Sequence, residues 1–183
     1  YQTILNLLFP SICGICGKID KNIVCEKCKK QIVQLKKVEK NTNFEDLKEK
    51  LQSEIYFDEQ IFFFEYKGII RDKIINYKFN EKSYLYKTFA ELIISIEFEK
   101  FIKEYDMIIP VPISKKRMKE RGYNQSLLIL KYLLQKNKLN NIYLEDKILY
   151  KVKNIKPQSS MKTKQDRINN IKGPYVRTNV FVP

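Results

Sequence analysis

The chain has 183 residues, 44% of them hydrophobic and 13% aromatic. That is enough for one domain of ordinary size, or for a small appendage and a domain, and it excludes a disordered protein. The 35 Lys and Arg residues against 21 Asp and Glu give a net charge of +14, which attracts nucleic acid, phosphorylated ligands or anionic lipid.

The apolar stretches of the sequence fall far short of the roughly 20 residues that a membrane-spanning helix requires. The first residues also lack the features of a secretory signal. We therefore expect a cytoplasmic protein, in which reducing conditions disfavour structural disulfides.

All four cysteines form two C-x2-C pairs near the N-terminus: Cys13, Cys16, Cys25 and Cys28. Two such pairs can converge on one tetrahedral Zn²⁺ ion, and a site of four thiolates is closed and structural. Gly14 and Gly17 lie where a tight knuckle favours positive φ angles. Two disulfides, a redox dithiol pair and an iron–sulfur site are the weaker alternatives. The pattern predicts a zinc-knuckle module, which we place at residues 1–35.

A polar connector is expected at residues 36–58, between the zinc-knuckle module and a main domain at residues 59–183. Within the connector, Phe44, Leu47 and Leu51 have the spacing of an amphipathic helix. The connector is therefore predicted to contain a helix.

The main domain alternates predicted strands with predicted helices. The strands are 59–67, 105–112 and 147–152, and the helices are 69–79, 85–101, 125–135 and 163–171. This alternation is typical of an α/β fold with a mostly parallel sheet. Ligands bind such folds outside the carboxyl ends of the strands, so the segment after Val111 is the first place to look for a site.

That segment, PVPISKKRMKERGYNQ (110–125), joins the apolar strand to a helix expected to begin near Gln125. Its cations precede Gly122 and a helix N-terminus, and cations, backbone amides and the helix dipole all favour an anion there. A solvated basic loop of a Lys-rich protein is the alternative. Arg117 and Arg121 favour anion binding, because planar guanidinium groups bind anions in a bidentate manner.

Several motifs together resemble those of the ComF family, whose members are similar to type I phosphoribosyltransferases with an N-terminal zinc knuckle. In chain order they are CGICG and CEKC, YKGIIRDKIINYKFN (66–80), IIPVPISKKRMKERGYNQS (108–126) and KPQSSMKTKQDRINNIKG (156–173). The resemblance implies a phosphoribosyltransferase-like fold and a cytoplasmic role in DNA uptake during natural transformation. For the full-length protein it also implies pyrophosphate or phosphoribosyl pyrophosphate (PRPP), with Mg²⁺, as ligand. It also implies partners among the DNA-uptake proteins, such as a competence helicase.

The resemblance extends to individual residues. The four cysteines correspond to the family's metal ligands, which suits zinc and leaves iron open. The other matches are ligand-pocket or fold-supporting positions: Lys115, Arg117, Arg121, Gly122, Asn124, Gln125, Gln158, Arg167 and Asn170. The chain has no histidine and no carboxylate pair at a recognisable catalytic position, so the sequence identifies no catalytic residue.

One motif of type I phosphoribosyltransferases is missing from this chain. Those enzymes carry an apolar strand followed by two acidic residues and a Thr- and Gly-rich turn, which hold the ribose hydroxyls and the 5′-phosphate. The chain reaches YVRTNVFVP (175–183) without such a segment. We therefore expect a sheet that is incomplete at its C-terminal side, in a fragment or a truncated product, and enzymatic activity stays an open question.

A non-catalytic nucleic-acid-binding or adaptor protein with a structural zinc site is the alternative function. It is suggested by the charge of +14 and by Tyr and Phe residues among the lysines, which can stack on bases of single-stranded DNA. Most of these aromatic residues have the spacing of core positions, which favours packing instead.

Overall fold

The computed structural model describes residues 10–33, 36–41, 57–137, 139 and 141–178. The elements of the first half are α1 (Glu26–Val33), β1 (Lys36–Asn41), β2 (Gln60–Phe64), α2 (Gly68–Phe79), α3 (Leu85–Ile94) and α4 (Glu99–Ile102). Those of the second half are β3 (Met107–Ile108), α5 (Lys115–Arg121), α6 (Gln125–Asn137), β4 (Tyr143–Leu144), β5 (Leu149–Lys151), a 3₁₀ turn (Gln158–Ser160), α7 (Lys164–Asn170) and β6 (Tyr175–Arg177). None of the helices in these ranges combines the length and apolar composition of a membrane span.

The described strands form three two-stranded sheets. β1 and β2 are antiparallel, β3 and β4 are parallel, and β5 and β6 are antiparallel. The mixed α/β class is thus confirmed, whereas the expected parallel arrangement is limited to one short pair. In that pair α5 and α6 form the connection, because parallel neighbours require a crossover.

The apolar run at 105–112 is less strand-like and more exposed than expected. Only β3 lies in a ladder within it, and Ile109 and Val111 are 42% and 59% exposed. Proline has no N–H to donate, so the two prolines of the run end the hydrogen-bonded ladder.

The helical spacing predicted α2, α6 and α7, and all three are confirmed. α7 begins with a capping box, in which Thr163 Oγ1 accepts from the Asp166 N–H and Asp166 Oδ2 accepts from the Thr163 N–H. The helix expected over 85–101 is divided into α3 and α4. Glu97 lies between them with a positive φ of 59°, which interrupts a right-handed helix.

The connector contains a strand, β1, which pairs with β2 of the main domain. This strand was not predicted from the sequence. The helix expected at Phe44, Leu47 and Leu51 lies outside the described residues.

Among the described residues, two hydrophobic clusters form the core. The first contains Cys13, Ile15, Val24, Cys28, Ile32, Ile70 and Leu92. The second contains Ala90, Phe98, Ile102, Leu133 and Ile142. Because Leu92 belongs to one cluster and Ala90 to the other, α3 connects them. The zinc-knuckle module therefore shares its core with the main domain.

Candidate functional site

The four thiols of the zinc-knuckle module meet at one point. Their Sγ atoms all lie within 4.8 Å of one another, and those of Cys16 and Cys25 are 3.9 Å apart. Zn–S bonds of ~2.3 Å in a tetrahedral site require S–S separations of about 3.8 Å. A disulfide requires about 2.05 Å, and all four cysteines are free. The arrangement therefore fits one metal ion held by four thiolates.

Two local structures bring the cysteine pairs together. An antiparallel bridge between Ile12 and Ile19 closes a hairpin that carries the first pair. Cys25 immediately precedes α1 and Cys28 lies in its first turn, where the helix dipole favours thiolates. The Cys25 N–H donates to Cys13 Sγ at 3.4 Å, which orients that ligand from outside the metal shell.

The two glycines of the knuckle have different roles. Gly17 has a φ of +76°, and its N–H donates to the Cys13 carbonyl at 2.8 Å, which confirms the expected tight turn. The φ of Gly14 is not positive. A Cβ at Gly14 would lie 1.9 Å from Thr88 Oγ1, so this glycine is required by the close approach of the knuckle to α3.

Burial and hydrogen bonding act in opposite directions on the thiols. Burial raises the pKa of Cys13, but hydrogen bonds from three backbone N–H groups outweigh it and lower that pKa to about 7. Burial also raises the pKa of Cys28, and the neighbouring thiols add to the increase. A divalent cation favours the thiolate form of all four. Five exposed lysines nearby offset the remaining negative charge: Lys18, Lys21, Lys27, Lys29 and Lys30.

The donor set leaves no open coordination position, so a bound Zn²⁺ ion would be structural. The four cysteines would hold it, and the ion would fasten the hairpin to α1 on the surface of α3. Iron accepts the same four thiolates, so metal analysis is needed to distinguish the two.

The basic segment forms a helix and not the expected loop. α5 begins after Ser114, whose Oγ accepts from the Arg117 N–H at 3.3 Å, and it ends at Gly122 with a φ of +81°. The next helix, α6, begins at Gln125 as predicted. Because an α-helix turns by about 100° per residue, the cations of α5 are distributed over different faces.

One face of α5 borders a cavity of 640 Å³ after the carboxyl end of β3, here called the strand-end cavity. Its polar lining includes Ser114, Lys115, Lys116, Asn124, Lys151 and Asn154. Ser114 Oγ donates to Asn154 Oδ1 at 3.0 Å, which ties α5 to the chain after β5. The volume falls within the range typical of small-molecule sites, about 300–1,000 Å³. Its three lysines outnumber its one carboxylate, Asp146, and this balance favours an anionic ligand.

Arg117 and Arg121 line a different cavity of 150 Å³, here called the arginine cavity. Its lining is completed by Lys78, Phe79, Glu81 and Glu120. The Arg121 guanidinium lies over the Phe79 ring, 5.7 Å from its centroid. Burial lowers the pKa of Arg121, and the positive charge of Arg117 lowers it further. The arginines and Lys115, expected at one phosphate site, therefore line separate cavities.

Two other residues of the basic segment hold the backbone in place. Gly122 supplies the left-handed conformation that ends α5. Asn124 Nδ2 donates to the Val111 carbonyl at 3.1 Å, and its Oδ1 accepts from the Leu127 N–H at 3.3 Å. Asn124 thus caps α6 and attaches it to the segment that follows β3.

Gln125 is buried where α6 meets α2. Its carbonyl accepts from Tyr77 Oη at 2.9 Å, and Tyr123 Oη donates to the Tyr77 carbonyl at 2.6 Å. The rings of Tyr77 and Tyr123 stack with their centroids 5.6 Å apart. The Gln125 Nε2 has no hydrogen-bond partner among the described residues. Gln125 therefore joins α6 to α2 through its backbone carbonyl, and its side-chain amide takes no part in that contact.

The later polar motif attaches α7 to the segment before it. Gln158 Nε2 donates to the Arg167 carbonyl at 3.2 Å, and Asn170 Nδ2 donates to the Lys156 carbonyl at 2.9 Å. The Arg167 side chain is exposed. Asn170 also borders an open cavity of 890 Å³ whose lining includes four lysines: Lys153, Lys156, Lys162 and Lys172.

Ser114, Asn154 and Lys78 were not singled out from the sequence. The sequence could have predicted Ser114 as an N-cap, because serine is preferred immediately before a helix. No local sequence pattern could have predicted Asn154 or Lys78, since each comes close to α5 only through the fold.

Comparison of the chain with models of protein families, with curated proteins and with solved structures finds no match. The ComF resemblance therefore rests on the sequence motifs.

Proposed function

We propose that this chain is a ComF-like protein with a type I phosphoribosyltransferase-like body that, in its full-length form, binds a phosphorylated ligand such as PRPP, together with Mg²⁺. We further propose that it acts in the cytoplasm in DNA uptake during natural transformation, beside a competence helicase and other DNA-uptake proteins. The strand-end cavity carries the proposal. It lies where a parallel strand ends and a helix with basic residues begins, which is the usual ligand position in α/β folds.

The cysteine cluster supports the same proposal, since a zinc knuckle before an α/β body is the arrangement that the motifs imply. In this protein the knuckle rests on α3 through Gly14 and Thr88. Its proposed task is to stabilise the body, because a closed four-thiolate site leaves no position for a substrate.

PRPP binding is tested by thermal unfolding of the full-length protein with Mg²⁺ and millimolar PRPP. We expect stabilisation of the wild type, since a ligand that binds only the folded state raises its stability. Lys115→Ala with Lys116→Ala removes two cations of the strand-end cavity and should abolish the effect. Lys119→Ala with Lys131→Ala removes the same charge from exposed positions and should retain it. No stabilisation of the wild type by PRPP would contradict the proposal.

One observation favours a nucleic-acid-binding function as the second candidate. In the β5–β6 pair, Lys151 lies opposite Tyr175, with its Nζ 5.2 Å from the ring centroid, and Arg177 lies on the same face. An exposed aromatic ring among cations can stack on a base of single-stranded DNA. We expect Tyr175→Ala with Arg177→Ala to weaken DNA binding, and Arg117→Ala with Arg121→Ala to leave it nearly unchanged. Equal weakening by both would indicate attraction by the overall charge instead.

A further inference from the structure

The four thiols of the zinc-knuckle module differ in their access to solvent. Cys13 and Cys28 are buried, with 0% and 5% of their surface exposed. Cys16 is exposed, and Cys25 is partly exposed. Oxidants in solution react with accessible thiolates, so Cys16 and Cys25 are the two sulfurs that an oxidant reaches first.

Cys16 and Cys25 lie close together although they belong to different C-x2-C pairs. Their Sγ atoms are 3.9 Å apart. A disulfide bond is about 2.05 Å long, so the two sulfurs must approach by about 1.9 Å to form one. Cys16 lies in the turn of the hairpin and Cys25 lies just before α1, so neither lies within a helix or a strand ladder. Their approach therefore needs no break in regular secondary structure.

The other two thiols are held inside the knuckle. Cys13 Sγ accepts the Cys25 N–H at 3.4 Å, and Cys28 lies in the first turn of α1. Each C-x2-C pair thus contains one buried thiol and one accessible thiol. A disulfide within a pair, which the sequence motif alone would favour, has to use a buried sulfur. Exposure favours the disulfide between the pairs instead.

We infer that Cys16 and Cys25 are a site of reversible oxidation, at which a peroxide converts two metal ligands into one disulfide. The Cys16 thiolate attacks an oxygen of hydrogen peroxide, so that an S–O bond forms, the O–O bond breaks and hydroxide leaves. The Cys25 thiolate then attacks the Cys16 sulfur of this sulfenic acid, so that the S–S bond forms, the S–O bond breaks and a second hydroxide leaves. The two sulfurs lose two electrons and the peroxide gains them.

The disulfide removes two of the four metal ligands. Cys13 and Cys28 remain, and two thiolates do not complete the tetrahedral set that holds a structural zinc ion. The ion is therefore released, while the disulfide keeps a covalent link between the hairpin and α1. A thiol reductant reverses the reaction by exchange. This inference concerns the knuckle alone and does not rest on PRPP binding.

The inference is tested by titrating the zinc-loaded full chain with hydrogen peroxide. A chromogenic indicator measures released zinc, and mass spectrometry of non-reduced peptides identifies the disulfide. We expect one zinc ion released for each Cys16–Cys25 disulfide formed, and recovery of zinc binding after a thiol reductant and added zinc. Met118, which is 42% exposed, is an internal reference and should form its sulfoxide only at higher peroxide doses.

Two variants test the role of the accessible sulfur. Cys16→His keeps four zinc ligands, since imidazole also binds zinc, and it removes the sulfur that peroxide attacks. It should retain zinc and need about tenfold more peroxide for half-release. Ile19→Ala changes an exposed residue of the same hairpin and should respond as the wild type does.

The peptide map of the wild type decides the question even where Cys16→His fails to hold zinc. Disulfides within the C-x2-C pairs, in place of one between Cys16 and Cys25, would overturn the inference. So would retention of zinc by the oxidised wild type, unchanged zinc release in zinc-loaded Cys16→His, or oxidation of Met118 before the thiols.

Discussion

The zinc-knuckle module and the basic segment are the two most distinctive stretches of the sequence, and the fold arranges them in opposite ways. The four thiols converge within 4.8 Å, whereas the cations of α5 are divided between two cavities. Metal coordination requires convergence, so a ligand pattern predicts geometry. Like charges repel one another, so a run of cations predicts a positive electrostatic field and not a shared site. The geometry of the helix decides which cavity each cation borders.

The largest effect is expected from loss of the metal ligands. Cys28→Ser replaces a buried thiol with a poor zinc ligand. Binding of structural zinc contributes about 10 kcal/mol or more in small modules, so we expect loss of the metal and a decrease of several kcal/mol in the free energy of unfolding. Elemental analysis and chemical denaturation measure the two quantities.

The exposed Ile19 provides the matched control, since Ile19→Ala changes the knuckle surface without touching the thiols. It should retain the metal. If wild-type protein purified without added metal contains neither zinc nor iron, and all four thiols react with an alkylating agent, the metal centre is refuted. Iron in place of zinc would keep the site and change its ion.

The second prediction separates the two glycines of the knuckle. Gly14→Ala places a methyl group against Thr88, and overpacking of this kind costs about 1–3 kcal/mol. Gly17→Ala meets no atom within 4 Å and should cost about 1 kcal/mol, from its positive φ alone. Urea denaturation gives both values.

Thr88→Ala provides a test of the mechanism. It removes the Thr88 Oγ1 and Cγ2 that a Cβ at Gly14 would meet, and the remaining Cβ contact of 2.9 Å should make the rescue of Gly14→Ala partial. No rescue, or equal costs at the two glycines, would show that the knuckle does not rest on α3 in this way.

These glycines also show how far the sequence predicts the molecule. The tight turn at Gly17 follows from local spacing, whereas the contact of Gly14 with Thr88 joins residues far apart in the chain. The same distinction holds elsewhere. The helices α2, α6 and α7 follow from apolar periodicity, but the meeting of Lys78 with the arginines depends on packing between helices. Local patterns predicted elements and metal ligands, and long-range contacts decided the cavities.

The third prediction concerns the part of the basic segment that holds the backbone. Asn124→Ala removes the cap of α6 and leaves the Val111 carbonyl without its side-chain donor, so the free energy of unfolding should decrease by about 1–2 kcal/mol. Asn124→Asp keeps the acceptor for the Leu127 N–H and loses the donor, so its cost should be smaller. Equal stability of the wild type and both variants would contradict this role.

The smallest effect is expected from Arg121→Gln. The substitution loses the contact with Phe79, worth about 0.5–1 kcal/mol at an exposed site, and relieves repulsion by Arg117 and Lys78. The two contributions oppose each other, so the free energy of unfolding should change by less than about 0.5 kcal/mol. Urea denaturation of the wild type and the variant measures the difference. Destabilisation of Arg121→Gln by several kcal/mol would instead place Arg121 among the residues that hold the fold, as Asn124 does.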